Sequence, residues 1–336
     1  MKKDITPSSK SVARALGVSV ATISRVLTRP DLVNEKTRER VLRGIERLGY
    51  RPNLAARDLR RGQTGTILVV VPQAGVFFLD VLRGVEQAAD EHGFTVLLAN
   101  TRGDLNRQRT HFDHVMSHRA DGVILLTGQL PTVPTASQNR LPLVVAVEPV
   151  PSSNVSAVTV DHAEGAEQAT QHLIALGHRR IAHIAGPDNV FSAGTRLAGY
   201  RKALRTARIA ADECLVQRGL FSVESGAKAM QSLLRQRRVP TAVFCANDQM
   251  AIGAIGALRA VGLRVPADMS VVGFDDLELA EVYAPALTTI HIPRFDAGYQ
   301  AMMILVDIIS RTRPARSLTL STRLVIRATT APPPNR

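Results

Sequence analysis

Six residues near the amino terminus combine hydroxyl, small apolar and cationic side chains over less than two helical turns: Ser19, Val20, Ala21, Thr22, Ser24 and Arg25. On an exposed helix, Val20 and Ala21 would allow close approach to thymine methyl groups, and Arg25 could reach a phosphate or guanine. The hydroxyls of Thr22 and Ser24 could donate to phosphate or base, although Thr22 could equally cap the helix behind Ser19. These residue types predict a surface that reads the major groove of DNA.

Positive charge is concentrated at the same end of the chain. The whole chain has a formal net charge of +13, and residues 1–64 contain fifteen Lys and Arg against six Asp and Glu. A generally Arg-rich surface would explain a mild excess elsewhere but not this concentration. The distribution favours a polyphosphate partner.

Three predicted helices position these residues. They cover residues 11–16, residues 20–27 and a segment after Asn34, which caps the third helix, while Gly17 ends the first. Apolar residues at helical spacing are expected to form their shared core: Val12, Ala13, Leu16, Ile23, Leu27, Val41, Leu42, Ile45 and Leu48. Two short helices joined at a glycine, with a third closing the core, predict a helix-turn-helix unit.

From Thr66 onward, short strands rich in Val, Ile and Leu alternate with amphipathic helices. The strands are predicted over residues 67–71, 94–99, 123–126, 143–147, 181–185, 242–246 and 270–274. The helices are predicted over residues 78–92, 105–118, 165–176, 196–207, 222–235 and 250–261. Continuous apolar strands between helices indicate parallel sheets covered on both faces. Because the alternation runs twice, we expect two doubly wound subdomains with a ligand cleft between them.

Several other classes of protein are disfavoured. The amino terminus has no apolar run typical of a secretory signal, and no apolar stretch is long enough to span a bilayer. Cys214 and Cys245 have no metal-ligand spacing, and four histidines share no ligand face: His162, His172, His178 and His183. Neither a phosphate-binding glycine loop nor a nucleophile elbow is found. We expect a cytoplasmic protein with no metal, cofactor, membrane contact or enzymatic activity.

The runs Val18-Ser-Val-Ala-Thr-Ile-Ser-Arg and Tyr50-Arg-Pro-Asn, in this order and at this separation, resemble the headpiece of the LacI/GalR family of transcriptional regulators. Three departures from the family pattern stand out: Ser9 replaces an apolar residue, Ser11 an Asp and Thr28 an Asn. They are expected to weaken the first helix cap and one turn, and to affect the operator sequence more than DNA binding itself.

The resemblance extends to residues 53–60. In the family, the matching segment is a hinge helix that folds only on operator DNA and inserts a leucine into the minor groove at a central CpG step. Asn53 would cap this segment, Ala56 matches the small residue where two hinges approach, and Leu59 matches the leucine. A segment this short does not hold an isolated helix in water, and an apolar wedge can unstack a flexible step. The alternative for Leu59 is packing within the hinge.

Further runs resemble the effector-binding domain of the family, including Arg196-Leu-Ala-Gly-Tyr and Ser270-Val-Val-Gly-Phe-Asp-Asp. The resemblance implies that a cleft is lined by Phe77, Phe78, Glu148, Ser192, Arg196, Phe221, Asn247 and Asp275. Aromatic rings would form flat walls for a sugar ring or base, Arg196 and Asp275 would bind vicinal hydroxyls, and Asn247 would add a donor and an acceptor. Alternatives remain open. One of the two adjacent phenylalanines could face the core, Arg196 could cap a helix start, and Asp161 and Asp275 could be turn residues.

The fold class that follows is an all-α helix-turn-helix headpiece joined to an α/β core like that of periplasmic binding proteins, with two doubly wound subdomains. The expected divisions are a headpiece at 1–52, a hinge helix and linker at 53–65, and an effector-binding and dimerisation domain at 66–336. Within that domain, the N-subdomain is expected at about 66–161 and 292–320, and the C-subdomain at about 162–291 and 321–330.

The resemblance implies a transcriptional regulator, expected to be a repressor, whose affinity for double-stranded operator DNA depends on a small-molecule sugar or nucleoside. We expect a homodimer, because family tetramers use a carboxy-terminal leucine heptad helix and the run Ala331-Pro-Pro-Pro cannot form one. Two alternatives are kept: a solute-binding receptor without a DNA role, and an α/β enzyme. A DNA-binding assay separates the regulator from both.

Overall fold

The change from a purely helical to an alternating sequence pattern falls where the chain divides into two units, residues 1–64 and 65–336, in the computed structural model. The structure describes residues 7–50, 63–117, 119–130, 142–150, 153–314 and 316–334. In these ranges, no helix is both long and apolar enough to cross a membrane.

Three capped helices form the described part of the first unit: α1 (Ser9–Leu16), α2 (Val20–Thr28) and α3 (Glu35–Arg47). The side chain of Ser8 accepts a hydrogen bond from the Ser11 backbone N–H, and the Ser11 hydroxyl oxygen accepts one from the Ser8 N–H. This reciprocal capping box satisfies two N–H groups at the start of α1. The Ser11 hydroxyl thus completes the cap, and the expectation that Ser9 and Ser11 weaken it relative to the family pattern stays a prediction.

The core of the three helices is smaller than the sequence predicts. Its fully buried members are Val12, Ala13, Ile23, Val26 and Val41. Leu27 and Leu42, expected inside, have 37% and 45% of their surface exposed. Successive residues of a helix lie about 100° apart, so Val26 and Leu27 lie about 60° and 40° from Ile23 on opposite sides, and the helical period alone does not decide which of the two is buried. The packing of α1 and α3 decides it.

The second unit begins with a six-stranded parallel sheet in the order β11-β5-β4-β3-β1-β2. Its strands are β1 (Thr66–Val71), β2 (Thr95–Asn100), β3 (Gly122–Leu125), β4 (Leu143–Val147), β5 (Ser156–Val160) and β11 (Leu318–Leu320). Its helices are α4 (Val76–Glu91), α5 (Leu105–Met116) and α11 (Arg294–Ser310). Alternate residues of β1 enter two different apolar clusters, so both faces of the sheet are covered. We call this part the N-lobe.

A four-stranded parallel sheet in the order β7-β6-β8-β9 organises the rest of the unit, which we call the C-lobe. Its strands are β6 (Ile181–Ala185), β7 (Val216–Arg218), β8 (Ala242–Cys245) and β9 (Ser270–Val272). Its helices are α6 (His162–Ala175), α7 (Phe191–Thr206), α8 (Val223–Leu234), α9 (Asp248–Ala260) and α10 (Glu278–Val282). An antiparallel pair, β10 (Thr289–His291) and β12 (Arg323–Val325), accompanies two of the crossings between the lobes.

Sequence periodicity located most of the long elements but not the short ones. The strand over 143–147 and the strand over 181–185 were predicted with their observed bounds. β5 was missed, and its residues alternate between buried and half-buried positions instead of forming a continuous apolar run. Helix α7 begins at Phe191, five residues before the predicted start. The prediction missed these residues because no capping side chain marks the beginning of the helix.

Two glycines bring α4 and α11 into backbone contact. A Cβ added to Gly298 would lie 1.9 Å from the carbonyl oxygen of Val81, and one added to Gly84 would lie 2.0 Å from that of Phe295. Because each position meets main chain and not a flexible side chain, neither helix can accept a methyl group without moving. The contact fixes the spacing of the two helices.

We predict that Gly298→Ala destabilises the second unit by about 1–3 kcal/mol, the usual cost of overpacking a closely packed interior. Urea titration of the full chain measures the effect. Gly256→Ala is the matched control, because an added Cβ there meets nothing within 4 Å. It should stabilise α9 by about 0.5–1 kcal/mol, since Ala is the better helix former. An equal response of both variants would contradict the close contact.

Candidate functional site

The predicted DNA-reading residues lie at the start of α2. Val20, Ala21, Ser24 and Arg25 are exposed, while Ile23 and Val26 on the opposite face are buried. The exposed set occupies successive turns of one helix face, as a groove-reading surface requires.

Thr22 and Ser19 are engaged locally. The Ser19 side chain accepts a hydrogen bond of 3.0 Å from the Thr22 backbone N–H, and the two hydroxyl oxygens are 2.9 Å apart. This geometry agrees with the capping alternative for Thr22. It leaves Val20, Ala21, Ser24 and Arg25 as the freer contacts. Asn53, Ala56 and Leu59 lie outside the described residues, so the hinge assignments stay predictions.

In the second unit, the guanidinium of Arg196 is buried, with 3% of the residue exposed. Its Nη1 donates to the carbonyl oxygen of Ala246, and its central carbon lies 3.9 Å from the ring centre of Phe274. Its Nη2 lies 3.3 Å from Asp275 Oδ1 in an ion pair. Within the described residues, that oxygen accepts no hydrogen bond, so the pair is Coulombic and not well aligned. Because α7 begins at Phe191, the alternative that Arg196 caps a helix start is wrong.

His162, the first residue of α6, supports Arg196 from the other side. Its Nδ1 is 3.4 Å from Arg196 Nε and 3.3 Å from Nη2, and both of these nitrogens can only donate. Burial, together with the charge of Arg196, holds the pKa of His162 well below its ordinary range. The ring is therefore neutral and carries its proton on Nε2.

Polar contacts connect the end of β4 in the N-lobe with the start of α7 in the C-lobe. The hydroxyl of Ser192 donates to Glu148 Oε1, and its backbone N–H donates to Oε2 at 3.2 Å. These two predicted cleft residues thus meet directly across the lobes.

Asn247 has a structural role in addition to any role in binding. Its side-chain oxygen caps α9 by accepting from the Met250 N–H at 2.9 Å, and its amide donates to the Phe221 carbonyl at 3.2 Å. Phe221 adopts a left-handed φ of 57°, and its ring centre is 6.0 Å from the guanidinium carbon of Arg196. Asn247 therefore positions the main chain of Phe221, and with it the ring beside Arg196.

The two adjacent phenylalanines have different surroundings. Their rings meet edge to face, with centres 5.1 Å apart. Phe77 packs against apolar clusters of both lobes, whereas Phe78 packs only against the N-lobe cluster. Phe77 therefore lies between the lobes, whereas Phe78 packs against the N-lobe core.

Aspartate burial dominates the electrostatics of the C-lobe edge. Asp248 is fully buried and accepts hydrogen bonds from the Thr289 hydroxyl and the Leu277 N–H. Burial and the neighbouring charge of Asp275 raise the pKa of Asp248 to about 8. Burial also raises the pKa of Asp275, but the charges of Arg196 and Arg294 oppose this, and the value is about 6. Asp161, the other aspartate considered for a turn, caps α6 by accepting from the Glu164 N–H at 2.9 Å.

Sequence reasoning missed four residues of this site. His162, Asp248 and Phe274 surround Arg196 and Asp275, and Arg294 joins them from the N-lobe. Asp248 follows Asn247 directly, and Phe274 precedes Asp275, so adjacency to predicted site residues was the available signal. The described residues contain no group of three or more His, Cys, Asp or Glu side chains able to hold a metal.

A helix-turn-helix unit followed by a two-lobed α/β unit with a buried polar site at the lobe boundary defines a ligand-responsive DNA-binding regulator. Residues 10–53 match the family model of bacterial regulatory proteins, lacI family, and residues 170–330 match that of the periplasmic binding protein-like domain. The chain belongs to the lacI family of bacterial regulatory proteins.

Relatives match along almost the whole chain. The HTH-type transcriptional repressor CytR of Escherichia coli K12 is 38% identical over 309 residues, 91% of both chains. The HTH-type transcriptional repressor PurR of Haemophilus influenzae PittEE is 36% identical over 302 residues, 89% of this chain and 90% of its own. The lac repressor dimer bound to operator and the anti-inducer ONPF superposes with a TM-score of 0.83 at 30% identity, covering 97% of this chain and 99% of its own. The transcriptional regulator CelR in complex with cellobiose gives a TM-score of 0.74 at 37% identity, covering 96% and 99%.

We predict that the contribution of Asp248 to folding stability falls as pH rises from 6 to 8.5. The folded-state pKa of Asp248 is above its ordinary value of 3.8, so the folded state retains a proton that the unfolded chain releases. The stabilisation is full below the unfolded pKa and is lost as pH approaches about 8. Asp248→Asn removes the titratable carboxyl group, but it also removes one of the two oxygens that accept hydrogen bonds from the Thr289 hydroxyl and the Leu277 N–H. It should be less stable than wild type at pH 6, and the gap should narrow by about 1–3 kcal/mol by pH 8.5.

Urea titrations at both pH values test this prediction. Glu278→Gln, which removes an exposed carboxylate on α10, is the control and should leave the pH dependence unchanged. A constant gap between wild type and Asp248→Asn would show that Asp248 is ionised in the folded protein.

Proposed function

We propose that this protein is a transcriptional repressor whose affinity for operator DNA is set by a neutral, hydroxylated small molecule bound between the N-lobe and the C-lobe. The observation that carries the proposal is the buried cluster around Arg196 and Asp275, in a chain that also has an exposed groove-reading face on α2. A DNA partner implies that the protein works in the cytoplasm.

The DNA-binding role is assigned to residues 1–52, with 53–65 as the hinge and linker. The exposed face of α2 supplies small side chains, a hydroxyl and a cation, which match thymine methyls, base edges and phosphate. On α3, two arginines are paired with glutamates of the same helix, Arg38 with Glu35 and Arg43 with Glu39. Arg25 lies on the exposed face of α2 and has no such ion pair among the described residues, so we assign it to a DNA contact.

Charge balance in the cleft supports a neutral effector. Arg196 is paired with Asp275, and Arg294 with Asp80. Glu148, held by Ser192, is the carboxylate beside them without an ion pair among the described residues. An anionic ligand would therefore meet no uncompensated cation there, whereas ligand hydroxyls could donate to Glu148 and to the buried Oδ1 of Asp275, which accepts no hydrogen bond within the described residues. With the ring of Phe77 between the lobes, a sugar or nucleoside fits this chemistry.

Exposed apolar side chains support a homodimer through the second unit. Leu97 and Leu98 lie on the edge strand β2 with 50% and 51% of their surfaces exposed. In the C-lobe, Leu220 and Val282 are each 72% exposed. Apolar edges of this kind are covered in stable proteins, and a second copy would cover both. The matched lac repressor structure is itself a dimer on operator DNA.

We predict that duplexes selected from a randomised library by the full chain are pseudo-palindromic with a central CpG step. The logarithm of affinity should fall linearly with the logarithm of salt concentration, with a slope reflecting about six or more phosphate contacts. Leu59→Ala should weaken binding to the selected duplex by about 1–3 kcal/mol while non-specific binding persists. Val261→Ala, an exposed apolar residue of the second unit, is the control. A slope near zero would refute DNA binding, and equal loss on both duplexes would make Leu59 a packing residue.

We predict that one or more members of a panel of nucleosides and neutral sugars raise the melting temperature of the wild-type chain and change its operator affinity. Asp275→Asn should abolish both responses, because it removes the carboxylate that accepts the ligand hydroxyl and pairs with Arg196. Asp188→Asn, which breaks an exposed ion pair with Arg218, is the control and should respond as wild type does. An unchanged response of Asp275→Asn would place the effector elsewhere.

A further inference from the structure

Arg294 occupies a position that is unfavourable for a cation. It is the first residue of α11, and only 6% of its surface is exposed. The amino-terminal end of a helix carries partial positive charge, so a buried guanidinium there needs strong compensating contacts. Its Nε has no hydrogen-bond partner among the described residues, which adds to the cost. This placement calls for a reason beyond helix stability.

The contacts of Arg294 reach both lobes. Its Nη2 donates to Asp80 Oδ2 of α4 at 2.9 Å, which pairs it with the N-lobe. Its Nη1 donates to the main-chain carbonyl of Asp275, and Nη2 also donates to that of Asp276 at 3.2 Å. The guanidinium carbon lies 5.9 Å from the ring centre of Phe77. One side chain thus connects an aromatic wall of the N-lobe with the acidic segment of the C-lobe.

The segment that Arg294 holds has an unusual backbone. Asp275 and Asp276 have φ values of 110° and 55°, which residues with a side chain rarely adopt and which persist only when the surroundings enforce them. The Asp276 side chain is held by His291 Nδ1 at 2.9 Å and Arg327 Nη2 at 2.7 Å. His291 and Arg327 thus restrain the side chain of Asp276. Arg294 restrains the main-chain carbonyls of Asp275 and Asp276.

We propose that Arg294 is a positioning residue of the effector site: its guanidinium holds the left-handed main chain of Asp275 and Asp276 across the two lobes and so directs the Asp275 carboxylate toward Arg196 and the effector. This inference rests on the proposed effector role of Asp275. A planar guanidinium can donate in two directions to two carbonyls and still pair with Asp80, whereas the single ammonium of lysine cannot reproduce that geometry.

Hydrogen exchange of the full, ligand-free chain tests the positioning role directly. The Asp275 N–H donates to the Ile290 carbonyl at 2.9 Å, and the Leu277 N–H to Asp248 Oδ2 at 2.8 Å, so both amides report on this segment. In Arg294→Lys, we expect these amides to exchange at least tenfold faster, while amides of β6 and β8 keep wild-type rates. Arg83→Gln, which removes the exposed partner of the same Asp80 carboxylate, should match wild type throughout.

Two results would overturn the inference. Wild-type exchange at both amides in Arg294→Lys would show that the segment holds its conformation alone. A uniform increase across the C-lobe would show that Arg294 only stabilises the lobe. Arg294→Met, which also removes the charge, should give the same local pattern as Arg294→Lys if carbonyl contacts, and not charge, decide the effect.

A ligand titration separates this inference from the proposed function. For any nucleoside or neutral sugar that stabilises wild type, Arg294→Lys should bind at least tenfold more weakly, and Arg83→Gln within twofold of wild type. Unchanged affinity in Arg294→Lys would contradict positioning toward the effector. If no compound in the panel stabilises wild type, the proposed effector class is wrong, and the exchange rates still decide whether Arg294 holds the segment.

Discussion

The C-lobe is organised around one constraint, the burial of the Arg196 guanidinium. Burying Arg196 carries a large desolvation cost, which is tolerable only if its donors and charge are matched. The Ala246 carbonyl, the Asp275 carboxylate, the neutral imidazole of His162 and the face of Phe274 supply that match. These groups come from the ends of different elements, so the sheet must form correctly before the charge is satisfied. Removing one partner would leave an uncompensated buried ion, and this explains why the site is so densely connected.

Polar groups beside the Arg196 cluster join the C-lobe to the N-lobe. Glu148 binds both the hydroxyl and the backbone N–H of Ser192, while Arg294 binds two carbonyls of the segment that carries Asp275. A ligand that competes for Glu148 or Asp275 would therefore change contacts between the lobes as well as its own surroundings. Under the proposed function, effector binding and lobe arrangement would depend on the same atoms, and this shared dependence would couple the two.

Sequence patterns predicted most of the long elements and the exposed face of α2, because helix caps and apolar periodicity are local. They misjudged Leu27 and Leu42, since the width of an apolar stripe depends on how three helices meet. The resemblance to the family indicated Glu148, Ser192, Arg196 and Asp275. In the structure, Glu148 contacts Ser192, and Arg196 contacts Asp275. Arg294 escaped notice because its partner Asp80 lies 214 residues away, and neither periodicity nor spacing reports such a pair. The left-handed backbone of Asp275 and Asp276 is equally invisible in sequence.

The close backbone contact between α4 and α11 is expected to make these two helices move as one rigid unit. Gly298 lies one turn beyond Arg294 and is pressed against the Val81 carbonyl, one residue after Asp80. Neither helix can slide on the other without a steric collision, so a displacement imposed at Arg294 cannot be absorbed locally. α11 has 17 residues, which corresponds to about 25 Å of helix. We therefore expect a small rotation imposed at Arg294 to move α4 and α11 together, along the length of α11 to Ser310.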